Sequence, residues 1–166
     1  MVVILQTPRL LVREFSSAEE NLLINLYSDE RITLHVAKRT TEDIKRQFAE
    51  ALKAYETDPG LGRWGIFNPV NNDFIGVCIL KPSDSDPTHI ELGYVLSQKY
   101  WGQGLATELA KALVNYGFEQ KRLKEICACT HPENIASQNV LLKAGLVRYG
   151  NIFWHGSDLP FFKITA

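Results

Sequence analysis

The chain has 166 residues and a mass of 18.8 kDa, with 45% hydrophobic and 22% charged residues, which suits one globular domain (residues 1–166) with a substantial core. A formal charge of −1 and a pI near 6.4 give no electrostatic footprint for nucleic acid, and no apolar run approaches the roughly 20 residues that span a bilayer. Three cysteines, an odd number, argue against a disulfide framework and for a reducing, cytoplasmic setting. The opening Met1–Pro8 has an apolar patch but neither a basic segment nor a small-residue cleavage site, so it does not read as a signal peptide.

Residues 9–15 have strand character, and Ser17-Ala-Glu-Glu20 reads as a capping box before a short helix carrying Leu22, Leu23 and Leu26. Thr40-Thr-Glu-Asp43 opens a second helix, with Ile44, Phe48, Leu52 and Tyr55 on one face, and Asp58-Pro-Gly60 ends it. Residues 63–68 and 74–81 read as a hairpin, followed by a polar loop (82–87) and a strand at 89–97. A helix over about 104–119 buries Ala106, Leu109, Ala110, Leu113 and Gly117. A strand at 124–130 and a helix from Asn134 to Ala144 with Gly145 at its C-cap follow; strands near 146–154 and 160–165 complete the order. The succession β-α-α-β-β-β-α-β-α-β-β gives an α/β domain with a mixed sheet.

The most informative stretch joins the alternating strand Ile90–Ser97 to Gln98-Lys-Tyr-Trp-Gly-Gln-Gly-Leu-Ala-Thr107. Two glycines, Gly102 and Gly104, open a long helix, where unpaired backbone N–H groups meet the positive end of the helix dipole. Such a turn takes a phosphate or pyrophosphate, and read structurally it also permits close packing. A dinucleotide fingerprint fits poorly, because Thr107 stands where a third glycine belongs, although Glu125 lies at a plausible distance for a ribose-binding acid. A Walker A loop fails, since no Gly-Lys-Ser/Thr follows.

Tyr-Trp-Gly-Gln-Gly-Leu-Ala-Thr-Glu at 100–108 resembles the acetyl-CoA pyrophosphate loop of the GNAT superfamily of N-acetyltransferases, and most closely its RimJ/RimL-like branch. Thr7–Arg13 resembles the branch's opening strand, Phe74-Ile-Gly76 and Glu91-Leu-Gly-Tyr94 its central strands, and Asn134–Leu146 its Asn-x-x-Ser helix. The four motifs stand in register across essentially the whole chain. The resemblance implies a mostly antiparallel sheet splayed at the cofactor site, flanked by about four helices. It implies main-chain contacts from Val95 and Leu96 to the pantetheine arm of acetyl-CoA, with one backbone N–H polarising the thioester carbonyl. It also implies a pyrophosphate held by Gln103, Gly104, Leu105, Ala106 and Thr107, with Asn134 and Ser137 on the pantetheine. Thr107 as a first-turn residue bonded to its own backbone, and Asn134 as an N-cap, are equally natural readings. Trp101 is expected to pack under the loop.

Amide formation needs a neutral amine. A lysine-type amine with a pKa near 10.4 costs about 4.6 kcal/mol to deprotonate at pH 7, whereas an α-amine near 7.7–8.0 costs only about 1 to 1.4 kcal/mol. Glu91 is the first candidate for the base, pointing to the face opposite Ile90 and Leu92; a carboxylate that merely orders the sheet face is the bland reading. Ser137 is the candidate proton donor to the leaving thiolate. One departure matters: many members of the superfamily carry a tyrosine four residues after the serine, and this chain has Leu141. Tyr94 reads as a packing residue.

His131 reads as a loop residue near the cofactor and His155 as part of a turn whose neighbours line the acceptor pocket, while His35 and His89 have no partner at metal-ligand spacing. Cys127 and Cys129 read as buried strand cysteines, so no metal is expected. Asp84, Asp86 and Glu91 bracket the central strand and would favour a cationic amine, and Tyr27, Asp29, Glu30 and Arg31 would join the acceptor wall. The expectation is acetyl transfer to a primary amine, a protein N-terminus or a small molecule, by direct transfer in a ternary complex. No nucleic acid or membrane partner is expected, and homodimers are common among such enzymes. The rival is a non-catalytic acyl-CoA-binding or regulatory module of the same fold.

Overall fold

The computed structural model describes residues 1–154 and 156–166. Eight strands form one sheet: β1 (Val3–Gln6), β2 (Leu11–Arg13), β3 (Gly62–Phe67), β4 (Phe74–Pro82), β5 (Ile90–Leu96), β6 (Glu125–Cys129), β7 (Val147–Trp154) and β8 (Ser157–Thr165). Their spatial order is β1-β2-β3-β4-β5-β6-β8-β7, and every pairing is antiparallel except β5 with β6. Four helices flank the sheet: α1 (Glu20–Tyr27), α2 (Thr41–Thr57), α3 (Leu105–Glu119) and α4 (Ile135–Lys143).

Strand alternation divides the core in two. Trp64, Ile66, Cys78, Leu80 and Leu92 turn to one face, where Leu109, Ala110 and Leu113 of α3 and Leu141 of α4 cover them. Phe67 and Val77 turn to the other, against Leu23 and Leu26 of α1 and Ile44 and Phe48 of α2. The expected elements are present with one addition and one shift. The N-terminal apolar patch is β1, paired with β2. Its Val3 is half exposed, so it lacks the clean alternation that marks a strand in sequence. The cap before α1 sits one residue earlier than the sequence reading placed it, with Glu19 accepting from the Ser16 N–H at 2.8 Å. At α2 the Thr40–Asp43 capping box forms as expected, and Gly145, at φ +98°, closes α4.

The splay is visible in the register. Strand β5 pairs with β4 along its full length, from Ile90 opposite Pro82 to Leu96 opposite Gly76. With β6 it shares a single parallel position, Glu91 opposite Cys127. Beyond that point the two strands part. Gly76 sets how closely β5 follows β4: a Cβ there would lie 2.2 Å from the Val95 carbonyl oxygen and 2.9 Å from Leu96 Cα, both backbone atoms. No side-chain rotation relieves that clash. Gly76→Ala is therefore expected to lower stability in urea titration by about 2 kcal/mol, the usual cost of overpacking a filled site, and to weaken acetyl-CoA binding with it.

A second tie positions α1. Arg13, only 4% exposed, donates to both carboxylate oxygens of Glu19 (3.0 and 2.9 Å), and its guanidinium carbon stands 3.5 Å over the Phe67 ring. Burial alone would raise the Glu19 carboxyl, but the Arg13 guanidinium and the Ser16 N–H outweigh it and hold it below its ordinary range. A depressed carboxyl contributes stability above its unfolded value of 4.5 and loses it as the pH falls further. Glu19→Gln is expected to cost about 2 kcal/mol at pH 7, as for hydrogen bonds to a charged group. Urea titrations at pH 7 and at pH 3 should show that penalty shrinking at the lower pH.

Candidate active site

Where β5 and β6 part, a cavity of about 390 Å³ opens through the sheet. Its walls include Glu91, Tyr94 and Val95 of β5, Ala128 and Cys129 of β6, and Asn134 and Ser137 at the start of α4. Ladder parity decides which main-chain groups of β5 face it. Ser97 N–H donates to the Ile75 carbonyl at 2.8 Å, so residues of the same parity, Val95 and Gly93, turn their N–H and C=O groups towards β4. The Val95 carbonyl lying against Gly76 agrees. Leu96 and Tyr94 instead present their main-chain groups to the gap. The Val95 side chain lines the cavity, while its backbone belongs to the β4 ladder.

Just past β5 the chain makes a short helical turn, Gln98–Tyr100, and enters the glycine loop. Gly102 and Gly104 adopt φ +71° and +77°, the left-handed region that a side chain resists. A Cβ at Gly102 would meet nothing within 4 Å, so backbone conformation, not crowding by the protein, calls for glycine. The first N–H that α3 closes on itself is that of Glu108, to the Gly104 carbonyl at 3.1 Å. The N–H groups of Leu105, Ala106 and Thr107 precede that ladder and sit at the positive end of the helix. Two carbonyls of the turn and loop are taken up by side chains. Arg9 Nη1 donates to the Gln103 carbonyl at 2.8 Å, and Gln103 Nε2 to that of Lys99 at 3.0 Å. Trp101 Nε1 donates to the Leu96 carbonyl at 2.9 Å, so the indole ties the loop to β5 while remaining 47% exposed.

Three bracing residues were not singled out as site residues from the sequence. Arg9 pairs with Glu108 at 2.6 Å, and the Thr7 hydroxyl donates to the same carboxylate. Burial would raise the Glu108 carboxyl, but the hydrogen bonds from Thr7 and Arg9 hold it below its usual range. The only advance signal was that Thr7 and Arg9 lie in the opening motif and Glu108 ends the loop motif. With N–H groups facing out and carbonyls held back, the loop fits a pyrophosphate.

Glu91 lies on the face of β5 opposite Leu92, and Cys129 Sγ–H approaches its Oε1 at 3.7 Å. Both strand cysteines stay protonated: Cys127 is pushed up to about 12 by burial and then by Glu91, and Cys129 likewise. On the other face, the Asn134 side chain accepts from the Ser137 N–H at 3.1 Å, capping α4. The Tyr94 hydroxyl reaches across to Ser137 Oγ in a long 3.4 Å contact, and burial raises its pKa against the opposing pull of that bond. Tyr94 thus does more than pack. His35 and His131 both line the cavity with ring centroids 5.4 Å apart. His89 lies elsewhere, 3.1 Å from Glu125, and His155 lies outside the described residues. Of the three acids expected at the entry, only Glu91 lines the cavity; Asp84 pairs with Lys81 at 2.7 Å, and Asp86 accepts from Thr88. Tyr27, the last residue of α1, lines the cavity, and in the segment that follows Asp29 pairs with Arg31. No helix among the described residues is long and apolar enough to cross a membrane.

If the Arg9–Glu108 brace holds the loop in its binding geometry, its loss acts on the donor alone. Arg9→Ala is expected to raise the acetyl-CoA Kd about five- to tenfold in calorimetry, the equivalent of about 1 kcal/mol, with the acceptor KM unchanged.

The model of the acetyltransferase (GNAT) domain family matches residues 9–147. An uncharacterised N-acetyltransferase p20 of Bacillus licheniformis is 28% identical over 151 residues, covering 87% of this chain and 85% of that protein. The crystal structure of a GNAT-family acetyltransferase from Bacillus anthracis superposes with a TM-score of 0.80 at 25% identity, covering 99% of this chain and 98% of the other. RimL, a ribosomal L7/L12 α-N-protein acetyltransferase solved with coenzyme A, shares the fold (TM-score 0.79, 16% identity, 99% and 98% covered). With the model of its domain family matching most of its length, the chain belongs to the acetyl-CoA-dependent GNAT family as an N-acetyltransferase.

Proposed function

We propose that the protein transfers the acetyl group of acetyl-CoA directly to a primary amine within a ternary complex, with Glu91 as base and Ser137, backed by Tyr94, as proton donor. One observation carries this reading: Glu91 and the Tyr94–Ser137 pair line one cavity from opposite faces of the sheet. The reaction needs one group to take a proton from the amine and another to give one to the departing sulfur. Placing them on opposite sides keeps the two transfers from short-circuiting each other.

Bound acetyl-CoA supplies the activated acetyl thioester; every other requirement falls to the chain. The N–H groups from Gln103 to Thr107 hold the pyrophosphate, and the gap-facing edge of β5 at Tyr94 and Leu96 receives the pantetheine arm as an added strand. The Leu96 N–H is the candidate donor to the thioester carbonyl oxygen. Glu91 takes the amine proton, directly or through one water. Tyr94 keeps its proton at neutral pH and orients the Ser137 hydroxyl towards developing negative charge. In this way β5 provides the phenol that α4 lacks at Leu141. Direct transfer is supported by the two cysteines that line the cavity, Cys78 and Cys129, whose thiols burial raises, so that they stay protonated and are poor acyl carriers.

Thiol release from acetyl-CoA over a panel of amines tests this. Intersecting initial-velocity lines are expected, whereas parallel lines or CoA binding without turnover would sink the proposal. Glu91→Gln is expected to lower kcat about 10²-fold at pH 7, within the usual range for a general base. The deficit should narrow towards pH 9.5, where an α-amine loses its proton unaided. Tyr94→Phe and Ser137→Ala should each reduce kcat with little change in acetyl-CoA Kd.

A further inference from the structure

The acceptor side of the cavity holds two arginines that the protein itself does not neutralise. Arg9, Arg13, Arg31 and Arg46 each sit in an ion pair. Arg39 and Arg63 both line the cavity, and among the described residues neither has a carboxylate within salt-bridge distance. The Arg39 guanidinium carbon rests 4.7 Å above the Tyr27 ring, and its Nη1 is enclosed without a hydrogen-bond partner. His35 Nδ1, in the same wall, is also enclosed and unpartnered. Such groups are costly to bury unless something completes them.

Arg63 lines the same cavity from β3. It stands in register with Ile79 of β4, which stands in register with Gly93 of β5. That row lies on the same sheet face as Glu91. Its backbone is clamped by the Tyr55 hydroxyl, which donates to the Arg63 carbonyl at 2.6 Å; burial pushes Tyr55 up to about 12, so the donor keeps its proton. Two strand spacings, about 10 Å, separate Arg63 from β5, and the Ile79 side chain floors the space between them, leaning over Gly93, where a Cβ would stand 3.1 Å from its Cγ1. Glu91, Arg39 and Arg63 thus line one cavity over an apolar floor, a carboxylate and two guanidinium groups around a single space.

We infer that the acceptor is an amine that also carries a carboxylate, its amine at Glu91 and its carboxylate taken by Arg39 and Arg63. Guanidinium groups bind carboxylates through paired, charge-assisted hydrogen bonds, and the incoming anion supplies the acceptor that the enclosed wall lacks. The inference rests on Glu91 marking the amine position. The carboxylate can belong to a free amino acid or to an acidic residue at a peptide N-terminus. In either case Arg39 and Arg63 determine specificity and do not take part in the chemistry.

The test pairs each acid with its amide: glycine through 6-aminohexanoate, alanine and glutamate, each beside its carboxamide, and the peptides Glu-Ala-amide and Gln-Ala-amide. The wild type should show a kcat/KM at least about tenfold higher for the acid in the best-fitting pair, as expected for one charged hydrogen bond. The pair showing the largest ratio separates a free amino acid from a peptide. Arg63→Gln and Arg39→Gln should bring that ratio close to one by lowering acid turnover far more than amide turnover; Arg63→Lys should restore part of it. A general structural lesion would lower acid and amide alike. An acid-to-amide ratio near one throughout the wild-type series, or an unchanged ratio in both glutamine variants, would overturn the inference. If no amine releases thiol, the transferase reading fails separately. Calorimetry of the same pairs on the CoA-loaded wild type then decides the anion site: tenfold tighter binding of an acid supports it, and equal or absent binding refutes it.

Discussion

The site depends on an imbalance in the pairing of β5. One edge of the strand is bonded to β4 throughout; the other meets β6 at a single position, Glu91 opposite Cys127. Sheet hydrogen bonds normally leave no interior edge unpaired, since buried N–H and C=O groups without partners are expensive. A strand interior to the sheet with a free edge is therefore prepared to accept an extended ligand, much as an edge strand accepts another strand. Gly76 sustains the imbalance by letting β5 press against β4 where any side chain would strike backbone.

The same parting turns a two-faced sheet into a passage. The glycine loop and α4 hang from the face covered by α3, whereas Tyr27 belongs to the cluster on the opposite face. Donor and acceptor can then approach from different sides and meet at β5. In the proposed reaction charge follows this division: N–H groups at the helix end would serve the phosphate side, and Glu91 with the two cavity arginines the amine side.

Periodicity and caps made most of the architecture legible in the sequence, because long helices and alternating strands are local features. Strand β1 escaped because half-exposed valines do not alternate. The glycine loop was legible because its chemistry is carried by consecutive backbone groups. Other features depend on which distant residues the sheet brings together. Tyr94 looked like a packing residue until its hydroxyl met Ser137 on another element. Arg9 gained its meaning only beside Glu108, and Asp84 lost its candidacy only beside Lys81. Val95 shows the same limit at the level of ladder parity, since strand position alone does not say which way a residue's main-chain groups point.

The brace that sets the donor loop joins residues 7 and 9 to residues 103 and 108, segments almost a hundred residues apart. Closing so long a loop costs more chain entropy than a local contact and slows folding. A partly folded chain can form α3 as a local helix yet still lack the carbonyl clamp that shapes the loop. On the proposed role of the loop, competence to hold the donor then depends on the whole sheet being assembled. By mass action, acetyl-CoA that binds only the completed loop stabilises the entire domain against unfolding.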